Sequence, residues 1–321
     1  MHLLIVSWFV LHFSFLGDAA VVNQPVFAEN TECAKYFFSK TEPVGLNPTS
    51  LARICQTYRN DVTGHESVYF ATLYDRINRI PIYSAYILKI SNGDNEKYWQ
   101  IEPQLVDNNF EAAMARESDF KLKHANINDE DIKLHQAVES DYEKYSNTYD
   151  KGHLNPNGHH DMPESRSATY TLTNIVPQTK LVNQQIWTIY EKKLQTLQNN
   201  KKCKDLYVVT GAVPSANRWL MDGTETRVNV PSHIWSAYCC VDNNEEPLEN
   251  GGRLIKNEEF EVTYDISKAT SAKDRSTIIK NIINNELKSM SVPELQVQLK
   301  TLLNAKEEIM IFHGKCSHKT P

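Results

Sequence analysis

Two stretches near the start of the chain are dense in aromatic and β-branched residues. They are residues 68–74 (VYFATLY) and 80–87 (IPIYSAYI), separated by the polar run Asp75-Arg76-Ile77-Asn78-Arg79. That pattern predicts a β-hairpin. Residues 170–177 (YTLTNIVP) alternate apolar and polar side chains and predict a strand. Further strands are predicted over residues 206–210 (LYVVT), 230–240 and 260–264. Residues 181–198 carry Ile186, Tyr190, Leu194 and Leu197 at helical spacing and predict one amphipathic helix. Near the C-terminus, residues 278–287 read as a helix. Ser291-Val-Pro-Glu294 is a capping box opening another over about 292–303. Residues 23–50 read as irregular around a short helix at 33–38. No internal repeat breaks the order. Strands mixed irregularly with helices indicate the α+β class.

Composition narrows the function. The 321 residues are 40% hydrophobic and 23% charged, with mean hydropathy −0.50, which excludes a polytopic membrane protein and a wholly disordered chain. Lys+Arg 34 against Asp+Glu 40 gives a net charge of −6. The protein is therefore no polycation, and phosphate binding must rest on a local basic patch. Charge is indeed segregated. Residues 101–150 hold 12 acids against 5 bases and read as a solvated excursion with short helices. Residues 179–204 hold Lys180, Lys192, Lys193, Lys201, Lys202 and Lys204 against the single acid Glu191.

The apolar run from Leu3 to Leu16, followed by Gly17 and Ala19, reads as a secretory signal cleaved after Ala19. Its 14 residues are short against the ~20 needed to span a bilayer. Secretion makes disulfides the expected state of the six cysteines. Cys33 is paired with Cys55. The adjacent Cys239 and Cys240 are expected to take different partners, Cys203 and Cys316 being the candidates.

Residues 149–191 concentrate the candidate chemistry. A loop-borne His153 follows Asp150-Lys151-Gly152. Next come the strand around Thr173-Asn174-Ile175-Val176-Pro177-Gln178 and the helix bearing Asn183 and Glu191. On a regular α-helix, Asn183 and Glu191 stand about 12 Å apart along the axis and about 80° apart in rotation. The set suits phosphodiester hydrolysis. A neutral histidine can take a proton from water, and a hard divalent cation can be held by one amide oxygen and its own waters. Lys151 could neutralise phosphate, and the lysines at 192 and 193 could extend that contact. His159 and His160 are assigned to a surface loop. A zinc hydrolase built on His153, His159 and His160 is disfavoured for want of a carboxylate partner.

The ordered set DKGH, TNIVPQ, LVNQQIW with a following glutamate, and YVVTG resembles the DNA/RNA non-specific endonucleases of the ββα-metal (His-Me finger) type, whose motif is Asp-Arg-Gly-His. The similarity runs over roughly residues 30–305. It implies a mixed sheet with flanking helices and a single endonuclease domain over residues 20–305, after a signal peptide at 1–19 and before a tail at 306–321. It also implies site roles: His153 as general base, Asn183 as the direct ligand of magnesium (or manganese or another divalent cation), and Glu191 as partner of the metal's waters. Asn174 would support the site's geometry. Lys151 replaces the motif arginine, keeping the charge and losing the planar fork. Lys97, before Trp99, is the expected second basic residue. The implied substrate is DNA, with RNA as a second. Lys151 keeps open a competing reading: a catalytically weak protein of the same fold that binds nucleic acid or another extracellular partner.

Overall fold

The computed structural model describes residues 21–22, 27, 31–46, 49–90, 93–200 and 203–317; residues 1–19, read above as a signal peptide, lie outside these. An eight-stranded sheet divides the fold. Its order is β1 (Val21–Val22), β2 (Leu51–Arg59), β3 (Glu66–Asp75), β4 (Ile80–Ile87), β7 (Asp205–Val213), β10 (His233–Val241), β11 (Pro247–Lys256) and β12 (Lys288–Met290). The α+β class holds, but every named strand pair is antiparallel, so the sheet is not mixed.

The central strands bury both faces, which is why they read as continuous apolar runs. Along β10, Ile234 and Cys240 point into one core, whereas Trp235, Ala237 and Cys239 point into the other. The first core also takes Leu154, Ile175, Val176, Ile186, Trp187 and Tyr190 from the segment that carries the candidate chemistry. The second takes Leu295 and Leu299 of the capped helix Val292–Leu302.

Three disulfides, Cys33–Cys55, Cys203–Cys240 and Cys239–Cys316, join the periphery to the sheet, with the adjacent cysteines going to opposite faces. The last of them, with the bridge between Val44 and Met310, holds residues 310–316 against the domain.

Several elements depart from expectation. Residues 260–264 are not a strand: Phe260–Thr263 is a helical turn, closed by the Tyr264 N–H donating to the Phe260 carbonyl at 2.9 Å. Five alternating residues are too few to separate the two periods. The strand β11 went unread because its centre is Glu249-Asn250-Gly251-Gly252. A Cβ on Gly251 would lie 2.9 Å from the Tyr238 ring across the ladder, so a larger residue there would push that ring aside. Strand β6 (Ile175–Thr179) starts later than the alternation suggests, because Leu172–Asn174 forms a 3-10 turn. The acidic excursion does form short helices, at Pro103–Val106, Glu117–Lys123, Asp129–Lys133 and Glu139–Glu143.

Candidate active site

His153 is not on a loop. It ends strand β5 (Tyr149–His153), which pairs antiparallel with β6 so that His153 faces Ile175 and Asp150 faces Gln178. A Cβ on Gly152 would sit 2.7 Å from the Cβ of the buried Gln178 and 2.3 Å from its Oε1, so glycine is the residue that fits before the histidine. The chain then enters a π-turn, Val182–Trp187, that runs into the α-helix Thr188–Asn199. The result is a ββα unit laid on the sheet.

The π-turn corrects the expected phase along the helix. It inserts about one extra residue, so eight residues rotate like about seven α-helical steps. Asn183 and Glu191 then stand about 20° apart instead of about 80°. Ile186 and Trp187 are fully buried in the first core, which anchors the turn.

Asp150 ties the strand to the helix start. Its Oδ2 accepts from Asn183 Nδ2 and from Gln184 Nε2, each at 2.9 Å. With the amide nitrogen so engaged, Asn183 Oδ1 has no hydrogen-bond partner among the described residues. Asn174 fixes the other end. It is fully buried, accepts from Ser84 Oγ at 2.8 Å and the Asn155 N–H at 3.0 Å, and donates to the carbonyls of Asn155 and Thr169 at 2.9 and 3.1 Å. All four of its hydrogen-bonding positions are filled, as a supporting residue requires.

The His153 ring lies between Trp99 and Tyr170, with ring centroids 5.6 and 5.0 Å away. Its Nε2 is buried without a partner, and no hydrogen bond to Nδ1 occurs among the described residues. Burial pushes its pKa down to about 4, so the ring is neutral at pH 7. Glu191 is pushed the other way by burial, up to about 7, with Lys192 opposing the shift. Its carboxylate has no hydrogen-bond or ion-pair partner among the described residues.

Lys151 is already engaged. Its Nζ contacts Glu139 Oε1 at 2.6 Å and lies 4.7 Å over the Trp99 ring. Nothing in the sequence signals Glu139. Lys97 is exposed two residues before Trp99 and borders a cleft that also contains Asp61, Asp94 and Glu96 and none of His153, Lys151, Asn183 or Glu191. Lys192 and Lys193 are exposed on the helix.

His159 and His160 are not in a surface loop: they are 1% and 4% exposed. The His159 Nε2–H donates to the Glu191 carbonyl at 3.1 Å, which leaves Nδ1 to accept from the Tyr86 hydroxyl at 2.9 Å. His160 Nε2 bonds Asn155 Oδ1 at 2.8 Å. No group of three His, Cys, Asp or Glu able to hold a metal occurs among the described residues, which removes the three-histidine zinc site. The free oxygen of Asn183 and the unpartnered Glu191 carboxylate fit a hard, largely hydrated cation, and they do not fit zinc.

A sequence model of the DNA/RNA non-specific endonucleases matches residues 50–282. The Endonuclease domain-containing 1 protein of Homo sapiens is 33% identical over 214 residues, covering 65% of this chain and 39% of that protein. Its Mus musculus counterpart is 31% identical over 216 residues, with the same shares. A nuclease of Nostoc sp. is 30% identical over 102 residues, which is 32% of this chain and 35% of that protein. Among solved structures, a chain of the EndoG/EndoGI complex aligns with TM-score 0.42 and 17% identity, over 64% of this chain and 75% of that one. The chain thus spans well under half the length of the curated relatives it matches.

Proposed function

The chain belongs to the DNA/RNA non-specific endonuclease family, and from that premise we propose that it is a secreted, divalent-metal-dependent endonuclease hydrolysing phosphodiester bonds of DNA, and of RNA, without reading sequence. The observation that carries this reading is the pair of hydrogen bonds that Asp150 accepts from Asn183 and Gln184, which engages the Asn183 amide nitrogen and leaves its oxygen without a partner among the described residues on the unit that presents His153. Three disulfides support an oxidising, extracellular setting.

The residues divide the work. Asn183 Oδ1 would hold magnesium, with Glu191 accepting hydrogen bonds from the ion's waters. When bound, the ion supplies positive charge to the phosphate and to the leaving oxygen. His153 takes a proton from the attacking water through Nδ1 as the new P–O bond forms and the bond to the leaving oxygen breaks. The Trp99 and Tyr170 rings fix the imidazole plane. Lys151 offers an ammonium to a non-bridging oxygen once Glu139 yields it, and Lys97, Lys192 and Lys193 supply backbone contacts that carry no sequence information.

The Lys151–Glu139 ion pair favours one competing reading, a weakly catalytic protein of the same fold that binds nucleic acid. A plasmid-nicking assay on purified protein, with magnesium and with chelator, separates the two. Magnesium-dependent nicking is expected. Nucleic-acid binding without nicking would transfer support to the competing reading.

A further inference from the structure

The proposed mechanism leaves a second basic cluster unused. The β3–β4 turn carries Arg76 and Arg79, and both line a cleft with Ser50, His135, Trp219 and Thr226. Both arginines are half-buried, and burial lowers the pKa of each guanidinium. A desolvated cation normally sits against a carboxylate. Here the neighbouring acids are engaged elsewhere. Asp75 accepts from the N–H groups of Ile77 and Asn78 and from Asn78 Nδ2, at 2.9, 3.0 and 2.6 Å. Asp141 grips Arg227 through both oxygens, at 2.9 and 3.2 Å. Asp131 caps its own helix by accepting from the Asn128 N–H. Glu225, exposed on β9 (Glu225–Asn229), acts on Arg79 only through its field.

Unused donors remain. Arg76 makes one hydrogen bond, from Nη2 to the Leu105 carbonyl at 2.5 Å, leaving Nε and Nη1 unbonded. Arg79 donates from Nε to the Lys133 carbonyl at 3.0 Å and from Nη1 to the Arg227 carbonyl at 3.1 Å, leaving Nη2. Its backbone is left-handed, with φ +52°, a conformation costly for a long side chain and suited to aiming it. Burial, with the two arginines, also lowers the pKa of His135, which favours a neutral ring that adds a donor or acceptor.

We propose that this cleft binds a phosphate group carried beside a nucleobase, the two guanidinium groups taking the phosphate and the Trp219 indole stacking the base. Arginine forks match phosphate oxygens, and every base offers a π-face. The ligand is either a free nucleotide or part of a nucleic-acid strand. The strand source rests on the endonuclease reading; the nucleotide source does not.

Titration of 5′-AMP, adenosine and inorganic phosphate into the full protein, in chelator and low salt, tests the cleft apart from the catalytic metal. 5′-AMP should bind more tightly than either fragment. Arg76→Gln should weaken 5′-AMP and inorganic phosphate about ten-fold or more, the scale of a charge-assisted contact. Trp219→Leu should weaken 5′-AMP about ten-fold and leave inorganic phosphate unchanged. Thermal melts confirm that each variant folds, and Arg76 is chosen because Arg79 holds two backbone segments. Displacement of 5′-AMP by a short oligonucleotide would identify the strand as the source, and failure to displace it would identify the nucleotide. Absence of 5′-AMP binding, or binding unmoved by both variants, would overturn the proposal. Plasmid nicking by the unsubstituted protein, measured in parallel, reports on the endonuclease reading separately from the cleft.

Discussion

His153 and the pair His159–His160 are a few residues apart and share one electrostatic property. Burial lowers the pKa of His153 and His159 to about 4 and that of His160 to about 3. Their surroundings differ. His159 is bonded through both nitrogens, and His160 through Nε2 to Asn155. His153 is held by two aromatic rings and by no hydrogen bond. Low basicity alone therefore does not mark a catalytic histidine. What separates His153 is that neither of its ring nitrogens has a hydrogen-bond partner among the described residues, the state the proposed general base needs.

The largest expected effect tests that distinction. His153→Ala should lower the cleavage rate by about 10²–10⁴-fold, the usual contribution of a general base, and leave the melting temperature close to wild type. His159→Phe should do the reverse. It removes the hydrogen bonds that His159 makes to the Tyr86 hydroxyl and the Glu191 carbonyl, at roughly 1–3 kcal/mol, and should lower the melting temperature while cleavage by the folded fraction persists. Wild-type-like cleavage by purified His153→Ala would remove the base assignment.

Next in size is the metal requirement. Asn183→Ala should raise the magnesium concentration for half-maximal rate. Asp150→Ala should act in the same direction, by roughly 10–100-fold, because it releases the amide that Asp150 orients. Glu191→Gln should do less, since it acts through water. A magnesium titration of each variant checks the order. Unchanged metal dependence in Asn183→Ala would place the ion elsewhere.

A third test uses acid. His159 and His160 titrate near 6.5 in an unfolded chain and near 4 and 3 in the fold. Between those values the unfolded chain binds more protons, so stability falls as pH drops through 6.5 toward 4. His153, lowered to about 4, adds to this slope, and Glu191 and Glu102, raised to about 7, oppose it, so the net decline in melting temperature over that window should be modest. His160→Gln, which keeps a donor toward Asn155 but cannot titrate, should flatten part of the decline. An unaltered pH profile in that variant would show that other groups drive it.

How much of this was legible in the sequence follows the same division. The β3–β4 hairpin, the capped C-terminal helix, the cysteine partners and the residues His153, Asn183 and Glu191 rest on local pattern or on a motif read in order. The π-turn does not, because its cause is the packing of Ile186 and Trp187 against a distant sheet. The sequence pattern assumed a regular helix and so misjudged the phase between Asn183 and Glu191. Asp150 stood in the motif without a role, since its partners lie 33 and 34 residues away. Glu139 and the interior positions of His159 and His160 depend on tertiary contacts that no spacing encodes.

The smallest effect concerns Lys151. Its ammonium contacts Glu139 at 2.6 Å, but the Glu139 side chain is 47% exposed, so solvent screens the pair and its worth is about 0–1 kcal/mol. Substrate phosphate can therefore displace Glu139 at little cost. Glu139→Gln should lower KM by up to about five-fold at low salt and leave kcat unchanged. A lower kcat in this variant would instead mean that Glu139 holds Lys151 in its working position over Trp99. Lys151→Ala sets the scale for both outcomes. If the ammonium meets charge that grows in the transition state, its loss falls mainly on kcat. If it only holds the strand, the loss falls on KM. Lys151→Arg should keep or raise the rate, since a guanidinium can stack on Trp99 and offer phosphate two parallel donors. Steady-state kinetics on a short labelled duplex distinguish these cases. Unchanged kcat and KM in Lys151→Ala would move phosphate stabilisation to another group, Lys97 first.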